Sequence, residues 1–212
     1  MSNEYVRFLE QLIENKPIRE SEAVELKPSL TWNLGTVQVK KIMRTILAFS
    51  NKSGGGKIVL GIPQDDTSHE FINTGMTDSD YSSFADSDRI YQDAGNYGEP
   101  APVVETVRTE YKGKKYVVIN VLEFYASPVI CKQELINEGK RIIERGLIYI
   151  RTPKPECKKI EHENEMRQVI DMAVNKEIVR FNERISLIKK VAYTENPDDD
   201  NTKFEKEKED FK

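Results

Sequence analysis

The stretch that decides the fold is Glu20-Ser21-Glu22-Ala23-Val24-Glu25-Leu26-Lys27. Its last four residues are predicted to form a short strand, which Pro28 ends. Alternate side chains share a face of a strand, so Glu25 and Lys27 point the same way while Leu26 points to the core. Glu20 lies five residues before Glu25, a spacing that neither helix nor strand places on one face. A turn at residues 21–23 is therefore needed to bring the two carboxylates together.

Two carboxylates beside an ammonium group are typical of a metal-dependent phosphodiesterase. In that interpretation Glu20 and Glu25 hold Mg²⁺ or Mn²⁺, which activates water, and Lys27 offsets negative charge on the phosphate. The alternative is a surface ion pair on an edge strand, with no chemical role. The residue pattern alone leaves both alternatives open.

A second stretch, residues 48–62, combines an Ala-Phe-Ser-Asn run with three glycines and a strand that ends in Gly61-Ile62. The glycines invite a phosphate-loop interpretation, but that motif requires Gly at position 51 and Ser or Thr at position 58, which are Asn51 and Ile58. The order is also reversed, because a helix here leads into a strand. A helix C-terminus presents carbonyl groups rather than the amide donors that bind phosphate. The glycines therefore predict a tight helix-to-strand turn.

Hydrophobic periodicity predicts an α+β domain with a mixed sheet flanked by helices, followed by a helical extension. The acidic stretch from residue 63 to 102 is predicted to be loops, with at most a short helix near 81–91, and Lys112-Gly113-Lys114 is predicted to be a hairpin turn. The predicted helices are 5–15, 37–50 and 161–191, and the predicted strands are 24–27, 57–62, 103–111, 115–122 and 147–151. The expected boundaries are a domain over 1–160, a C-terminal helical extension over 161–192 and a disordered acidic tail over 193–212.

The net charge of −4 is unevenly distributed. It is +3 over residues 1–62, −9 over 63–110, +6 over 111–192 and −4 over 193–212. Binding to phosphates depends on the local field rather than on the total. The acidic total therefore does not exclude a nucleic-acid partner, although it predicts modest affinity.

Other classes of protein are excluded more firmly. No apolar run approaches the roughly 18 residues that a membrane-spanning helix requires, and the N-terminus lacks the basic-then-apolar pattern of a signal peptide. Cys131 and Cys157 have no metal-ligand spacing and are expected to remain reduced thiols. We expect a cytoplasmic protein with no membrane association.

The two motifs together resemble the Schlafen AlbA-type domain family. The resemblance rests on Glu-Ser-x-x-x-Glu-Leu-Lys at 20–27 and on Ala-Phe-Ser-Asn-x-x-Gly-Gly at 48–55, and it continues through residues 117–128 to Tyr149-Ile150-Arg151-Thr152. It implies a nucleic-acid-binding α+β domain. In Schlafen proteins such domains act as metal-dependent endoribonucleases on structured RNA such as tRNA, whereas many prokaryotic members are described as DNA-binding or regulatory.

The resemblance assigns the family's two motif glutamates to Glu20 and Glu25, and its lysine to Lys27. The family's third acid falls on Gln64, three residues after Gly61. Asp65 and Asp66 follow immediately, so a shift of one residue would supply a carboxylate. The expected metal set is therefore Glu20 and Glu25 with Asp65 or Asp66. If Gln64 occupies the position, metal binding and RNA cleavage are in doubt while nucleic-acid binding is not.

Two further sets of side chains are candidates for contacts with partners. The apolar stripe of the last helix must be covered either by its own domain or by a second chain, which makes a homodimer or a partner protein the expectation. The stripe comprises Val174, Ile178, Phe181, Ile185 and Ile188. The candidates for phosphate contacts are the cations Lys40, Lys41, Arg44, Lys52, Lys57 and Arg151.

Overall fold

The computed structural model describes the backbone of residues 2–195 and the side chains of residues 4–188. The helices are α1 (Ser2–Glu14), α2 (Val37–Ser50), α3 (Asp78–Ser82), α4 (Asp88–Tyr97) and α5 (Glu163–Glu195). The strands are β1 (Val24–Lys27), β2 (Gly56–Leu60), β3 (Gly98–Glu99), β4 (Val104–Tyr111), β5 (Lys114–Val121), β6 (Ile130–Cys131), β7 (Leu135–Asn137), β8 (Lys140–Ile143), β9 (Tyr149–Arg151) and β10 (Cys157–Lys159).

A four-stranded sheet in the order β1-β2-β5-β4 is the centre of the first part of the chain. β1 runs parallel to β2, with Val24 beside Lys57 and Lys27 beside Leu60. β2 pairs antiparallel with β5, and β5 with β4. The sheet is therefore mixed, which confirms the predicted α+β class.

The hairpin between β4 and β5 forms where the sequence predicts it. Tyr111 pairs with Lys114, so the loop is the two residues Lys112 and Gly113. Their φ angles are +49° and +73°. Positive φ at both positions is the geometry of a type I′ turn, whose twist matches the flanking strands.

The glycine run at residues 54–56 makes the turn from α2 into β2. Gly54 and Gly55 have φ angles of +76° and +64°, which L-residues rarely adopt. A Cβ on Gly55 would lie 2.1 Å from the carbonyl oxygen of Val121, and one on Gly56 would lie 2.6 Å from the ring of Phe49. The backbone therefore passes too close to β5 and α2 for any side chain at residues 55 and 56. This close approach explains the glycines, and no phosphate-binding role is needed to explain them.

The acidic stretch is more ordered than the sequence predicts. It contains α3 and α4 in place of one helix near 81–91. The carboxylate of Asp80 accepts hydrogen bonds from Ser29 Oγ at 2.6 Å and Thr31 Oγ1 at 2.7 Å, and Asp93 accepts one from the indole of the buried Trp32 at 2.7 Å. The acidic residues thus fix the loop that follows β1.

Among the described residues, the chain divides into two compact units, residues 2–170 and residues 171–195, and the division falls inside α5. The predicted boundary is ten residues earlier, at 160. In the second unit the helix continues to Glu195, and the rest of the predicted acidic tail lies outside the described residues. Within residues 2–195, no helix combines the length and apolar character needed to cross a membrane. The cytoplasmic location stays a prediction.

Candidate functional site

The carboxylate of Glu25 lies between two cations. Its Oε1 is 2.5 Å from Lys27 Nζ, as expected for alternate residues of one strand, and its Oε2 is 2.6 Å from Arg151 Nη1 on β9. The side chains of Glu25 and Arg151 are 10% and 1% exposed. Both oxygens of Glu25 therefore face a positive charge.

Arg151 also holds the turn that β1 requires. Its Nη2 donates to the carbonyl oxygens of Ser21 at 3.2 Å and Val24 at 3.4 Å, and these two residues pair with each other across the turn. The guanidinium lies 5.2 Å from the ring centre of Phe49, and its Nη1 lies 3.3 Å from the sulfur of Cys157. One side chain thus connects β1, α2, β9 and β10.

The turn brings Glu20 back beside β1. Its Oε1 accepts a hydrogen bond from the amide of Leu26 at 3.0 Å and lies 3.9 Å from Lys27 Nζ. Burial of the carboxyl raises the pKa of Glu20, and the neighbouring charge of Glu25 raises it further. The two carboxylates therefore repel each other, and the lysine and arginine reduce the repulsion.

An open cleft of about 330 Å³ lies beside this cluster, and Glu20, Lys27 and Gln64 all line it. Gln64 is the residue to which the resemblance assigns the family's third acid, and its Nε2 donates to the carbonyl oxygen of His69 at 2.9 Å. The carboxylate of Asp65 instead accepts hydrogen bonds from the amides of Thr67 and Ser68, which lower its pKa. Asp66 is exposed. At the position assigned to the third acid, an amide rather than a second carboxylate therefore lines the cleft beside Glu20.

The residues of the cleft do not fit a divalent metal ion. Across the part of the chain that the structure describes, no three His, Cys, Asp or Glu side chains are grouped so that they could bind one. Mg²⁺ is usually bound by one or two carboxylates together with water and phosphate oxygens, and of the two candidate carboxylates Glu25 is already paired with two cations. Glu20, Glu25, Lys27 and Arg151 together have no net charge, so the field that would attract a metal ion is weak.

The six cations predicted to contact phosphate lie in different surroundings. Arg151 is buried against Glu25, which leaves no guanidinium surface for phosphate. Lys52 donates to the carbonyl oxygen of Ser53, and Lys57 lies 5.5 Å from the ring centre of Phe8 on α1. The remaining three, Lys40, Lys41 and Arg44, follow one another on α2.

One of the three cations of α2, Lys40, contacts a hairpin that the sequence does not predict. Lys40 Nζ donates to the carbonyl oxygen of Ile136 at 2.8 Å and to the side chain of Asn137 at 3.2 Å, which fixes the β7–β8 hairpin against the helix. Burial raises the pKa of the Tyr149 phenol. The charge of Arg44 lies close enough to oppose this rise in part. The hairpin and the loop after it add three exposed cations. These are Lys140, Arg141 and Arg145.

Because α2 packs against β8, we refer to the cations of these two elements and of the loop after β8 together as the α2–β8 surface; they are Lys41, Arg44, Lys140, Arg141 and Arg145. Lys41 is exposed and Arg44 is half-buried. Arg141 makes a loose ion pair with Glu134, at 3.8 Å. The signal for the hairpin in the sequence is weak, because β7 and β8 span three and four residues around the turn at Glu138-Gly139, both of which have positive φ.

The second motif contributes packing rather than ligands. The side chain of Asn51 ends α2, where its amide donates to the carbonyl oxygens of Leu47, Val129 and Tyr149. Its own oxygen accepts from the amide of Val129 at 2.7 Å. This buried amide is fully hydrogen-bonded and joins the helix end to β9, so it is not available to a phosphate.

A family model described as Schlafen, AlbA_2 matches residues 20–161, well over half of the chain. The chain therefore belongs to the Schlafen AlbA_2 family. The match includes both motifs, the cleft and the α2–β8 surface.

Two solved structures resemble the chain at low identity. The DIP2311 protein from Corynebacterium diphtheriae is 15% identical with a TM-score of 0.48, and the alignment covers 78% of this chain and 28% of that one. The N-terminal domain of a RecG-related protein from Nitrosomonas europaea is 22% identical with a TM-score of 0.40, with 74% of this chain and 95% of that one covered. No curated protein matches the chain significantly.

Replacing Arg151 by Met should cost about 3–5 kcal/mol of unfolding free energy, because it leaves Glu25 buried without its inner partner. Replacing the partly exposed Lys27 by Met should cost less, about 1.5–3 kcal/mol. The double change Glu25→Gln with Arg151→Met should recover part of the loss, since no unpaired charge remains. Urea unfolding measures all three. A loss for Arg151→Met no larger than that for Lys27→Met would contradict the arrangement.

The raised pKa of Glu20 predicts a pH dependence of stability. Between the ordinary pKa of 4.5 and the raised value, the folded chain keeps a proton that the unfolded chain has lost. The associated stability is fully present below pH 4.5 and is lost as the pH rises through the folded pKa. Glu20→Gln should therefore gain thermal stability relative to the natural chain as the pH rises from 4.5 to 7. The exposed Glu22, changed to Gln, is the control; equal pH profiles for the two variants would reject the assignment.

Proposed function

We propose that this chain binds nucleic acid through the α2–β8 surface and does not cleave it with a metal ion. The observation that carries the proposal is the pairing of Glu25 with Lys27 and Arg151, while Gln64 replaces the expected acid. In this site the negative charges of the glutamates are offset by the positive charges of Lys27 and Arg151. The family relationship supports a nucleic-acid-related function, and the local positive charge supports phosphate as the group that is bound.

The α2–β8 surface suits contacts with a phosphate backbone. Most of its cations lie on a helix and a hairpin that Lys40 holds together, so the backbone positions from which they extend are fixed before binding. Lysine and arginine contacts to phosphate position a nucleic acid without reading its sequence. The proposed ligand class is therefore RNA or DNA bound through its backbone.

The alternative function is the metal-dependent endoribonuclease that the family resemblance implies. The feature that favours it is the open cleft, which gives Glu20 and Lys27 access to a substrate. In that case a metal ion would have to bind to Glu20 and Glu25 in competition with the two cations. The alternative makes a different prediction for the effect of Mn²⁺ and can be tested separately.

Reversing charge on the α2–β8 surface should weaken binding to RNA and DNA. We expect Lys41→Glu with Lys140→Glu to lower affinity about tenfold or more and to reduce the slope of log affinity against log salt by about 2. Fluorescence anisotropy with a labelled tRNA and a labelled DNA duplex, at several salt concentrations, measures both quantities. Arg89→Glu, an exposed reversal in the first turn of α4, is the control and should change neither. Equal effects from Arg89→Glu would reject the surface as the binding site.

Metal ions should neither strengthen binding nor start cleavage. We expect the natural chain to bind tRNA equally in EDTA and in Mn²⁺, and to leave it intact in both. Glu20→Gln should behave in the same way, because it keeps the fold and removes one charge from the cleft. Fragments that appear with Mn²⁺ and the natural chain, but disappear with Glu20→Gln, would establish the nuclease and overturn the proposal.

A further inference from the structure

The second unit of the chain has an apolar helix face exposed to solvent. Val174, Ile178, Phe181 and Ile188 are 51%, 52%, 58% and 67% exposed, and Ile185 between them is half-buried. Their spacing of four and three residues places all five on one side of α5. A stripe of this kind is the seam of a two-stranded coiled coil.

The residues beside the stripe decide what can cover it. In heptad terms Ile178 and Ile185 occupy a positions, while Val174 and Phe181 occupy d positions. The flanking g positions are Glu177 and Arg184, of opposite charge, and the flanking e positions are Asn175 and Asn182. A partner helix therefore needs a positive group opposite Glu177 and a negative group opposite Arg184.

We propose that α5 pairs with α5 of a second copy of this chain in antiparallel orientation. In an antiparallel coiled coil, a positions face d positions and g positions face g positions. With the two-fold axis between residues 179 and 180, Ile178 faces Phe181 of the partner subunit and Val174 faces Ile185 of the partner subunit. The same register places Glu177 opposite Arg184 of the partner subunit, twice by symmetry.

The alternative orientation of the same two helices does not satisfy these charges. In a parallel pair the g position faces the e position of the following heptad, so Glu177 would face Asn182 and the charge complementarity would be lost. At present Glu177 makes an ion pair with Arg180 of its own helix, at 2.6 Å. Its side chain is 55% exposed, and a pair in that setting is weak enough to exchange for one across an interface.

The proposal is independent of the proposed function, and the mass of the chain in solution tests it first. One chain weighs 24.4 kDa, so sedimentation equilibrium of the natural chain should give about 49 kDa. Ile178→Asp should give the mass of a monomer with an unchanged circular dichroism spectrum. A natural chain that stays monomeric at high concentration would overturn the proposal. So would a tetramer, which the additional exposed side chains Val179 and Leu187 make the rival assembly.

Charge reversals then test the orientation. Glu177→Arg places two pairs of like charges across the antiparallel interface, and so does Arg184→Glu, so each should weaken dimerisation about tenfold. The double variant should restore it, and so should an equimolar mixture of the two single variants, because each then supplies the charge that the other lacks. In a parallel pair Glu177→Arg would face only Asn182. An unaffected Glu177→Arg variant, or a mixture that stays monomeric, would therefore reject the antiparallel pair.

Discussion

The burial of one carboxylate, that of Glu25, is the constraint on which the first unit depends. An ion in the protein interior costs several kcal/mol unless it is paired closely. Arg151 supplies the pairing from a strand 126 residues further along the chain, and it can do so only if β9 lies against α2 and the turn before β1 is closed. The ion pair between Glu25 and Arg151 therefore forms in only one arrangement of these elements. Packing of apolar side chains alone would not favour that arrangement over others.

The same constraint limits the chemistry of the cleft. A carboxylate that ligates a metal ion has to offer its lone pairs, whereas Glu25 offers both oxygens to fixed cations. The charged form of Glu20 is disfavoured because the carboxyl is partly buried and lies next to the charge of Glu25. Glu25 fixes the arrangement of β1 and β9 through its ion pairs, whereas the ionised Glu20 opposes folding at neutral pH. The exposed positive charge lies on α2, on β8 and in the loop after β8.

How much the sequence predicts depends on the distance over which each interaction acts. Local patterns suffice for β1, for α2 and for the turn at Lys112-Gly113, and the spacing from Gly61 places Gln64 correctly in the cleft. The pairing of Glu25 with Arg151 is not predictable in this way, because nothing near either residue in the sequence signals the other. Arg151 was therefore predicted as a phosphate contact, although its side chain is buried.

The β7–β8 hairpin escapes sequence-based prediction for another reason. Its strands are too short to show alternation, and one contact that holds the hairpin against α2 is the hydrogen bond from Lys40 to the backbone of Ile136. A lysine in the sequence signals a surface charge and not a hydrogen bond to a carbonyl group. The candidate interface was thus visible only in part, as a basic helix without its second half.

The proposed pairing of α5 would compensate for the low charge of the proposed binding surface. The α2–β8 surface has few cations, and the acidic stretch nearby in the sequence opposes phosphate, so a single chain is expected to bind weakly. An antiparallel pair of α5 helices would place two such surfaces in one particle, and the second contact with a nucleic acid would then be intramolecular. Effective concentration alone can raise affinity a hundredfold or more, about 10²–10⁴ when the geometry permits both contacts, without any new contact within either domain. Under these two proposals, modest charge in each domain and association through the helix would be complementary properties, because a dimer would supply affinity that the local field does not.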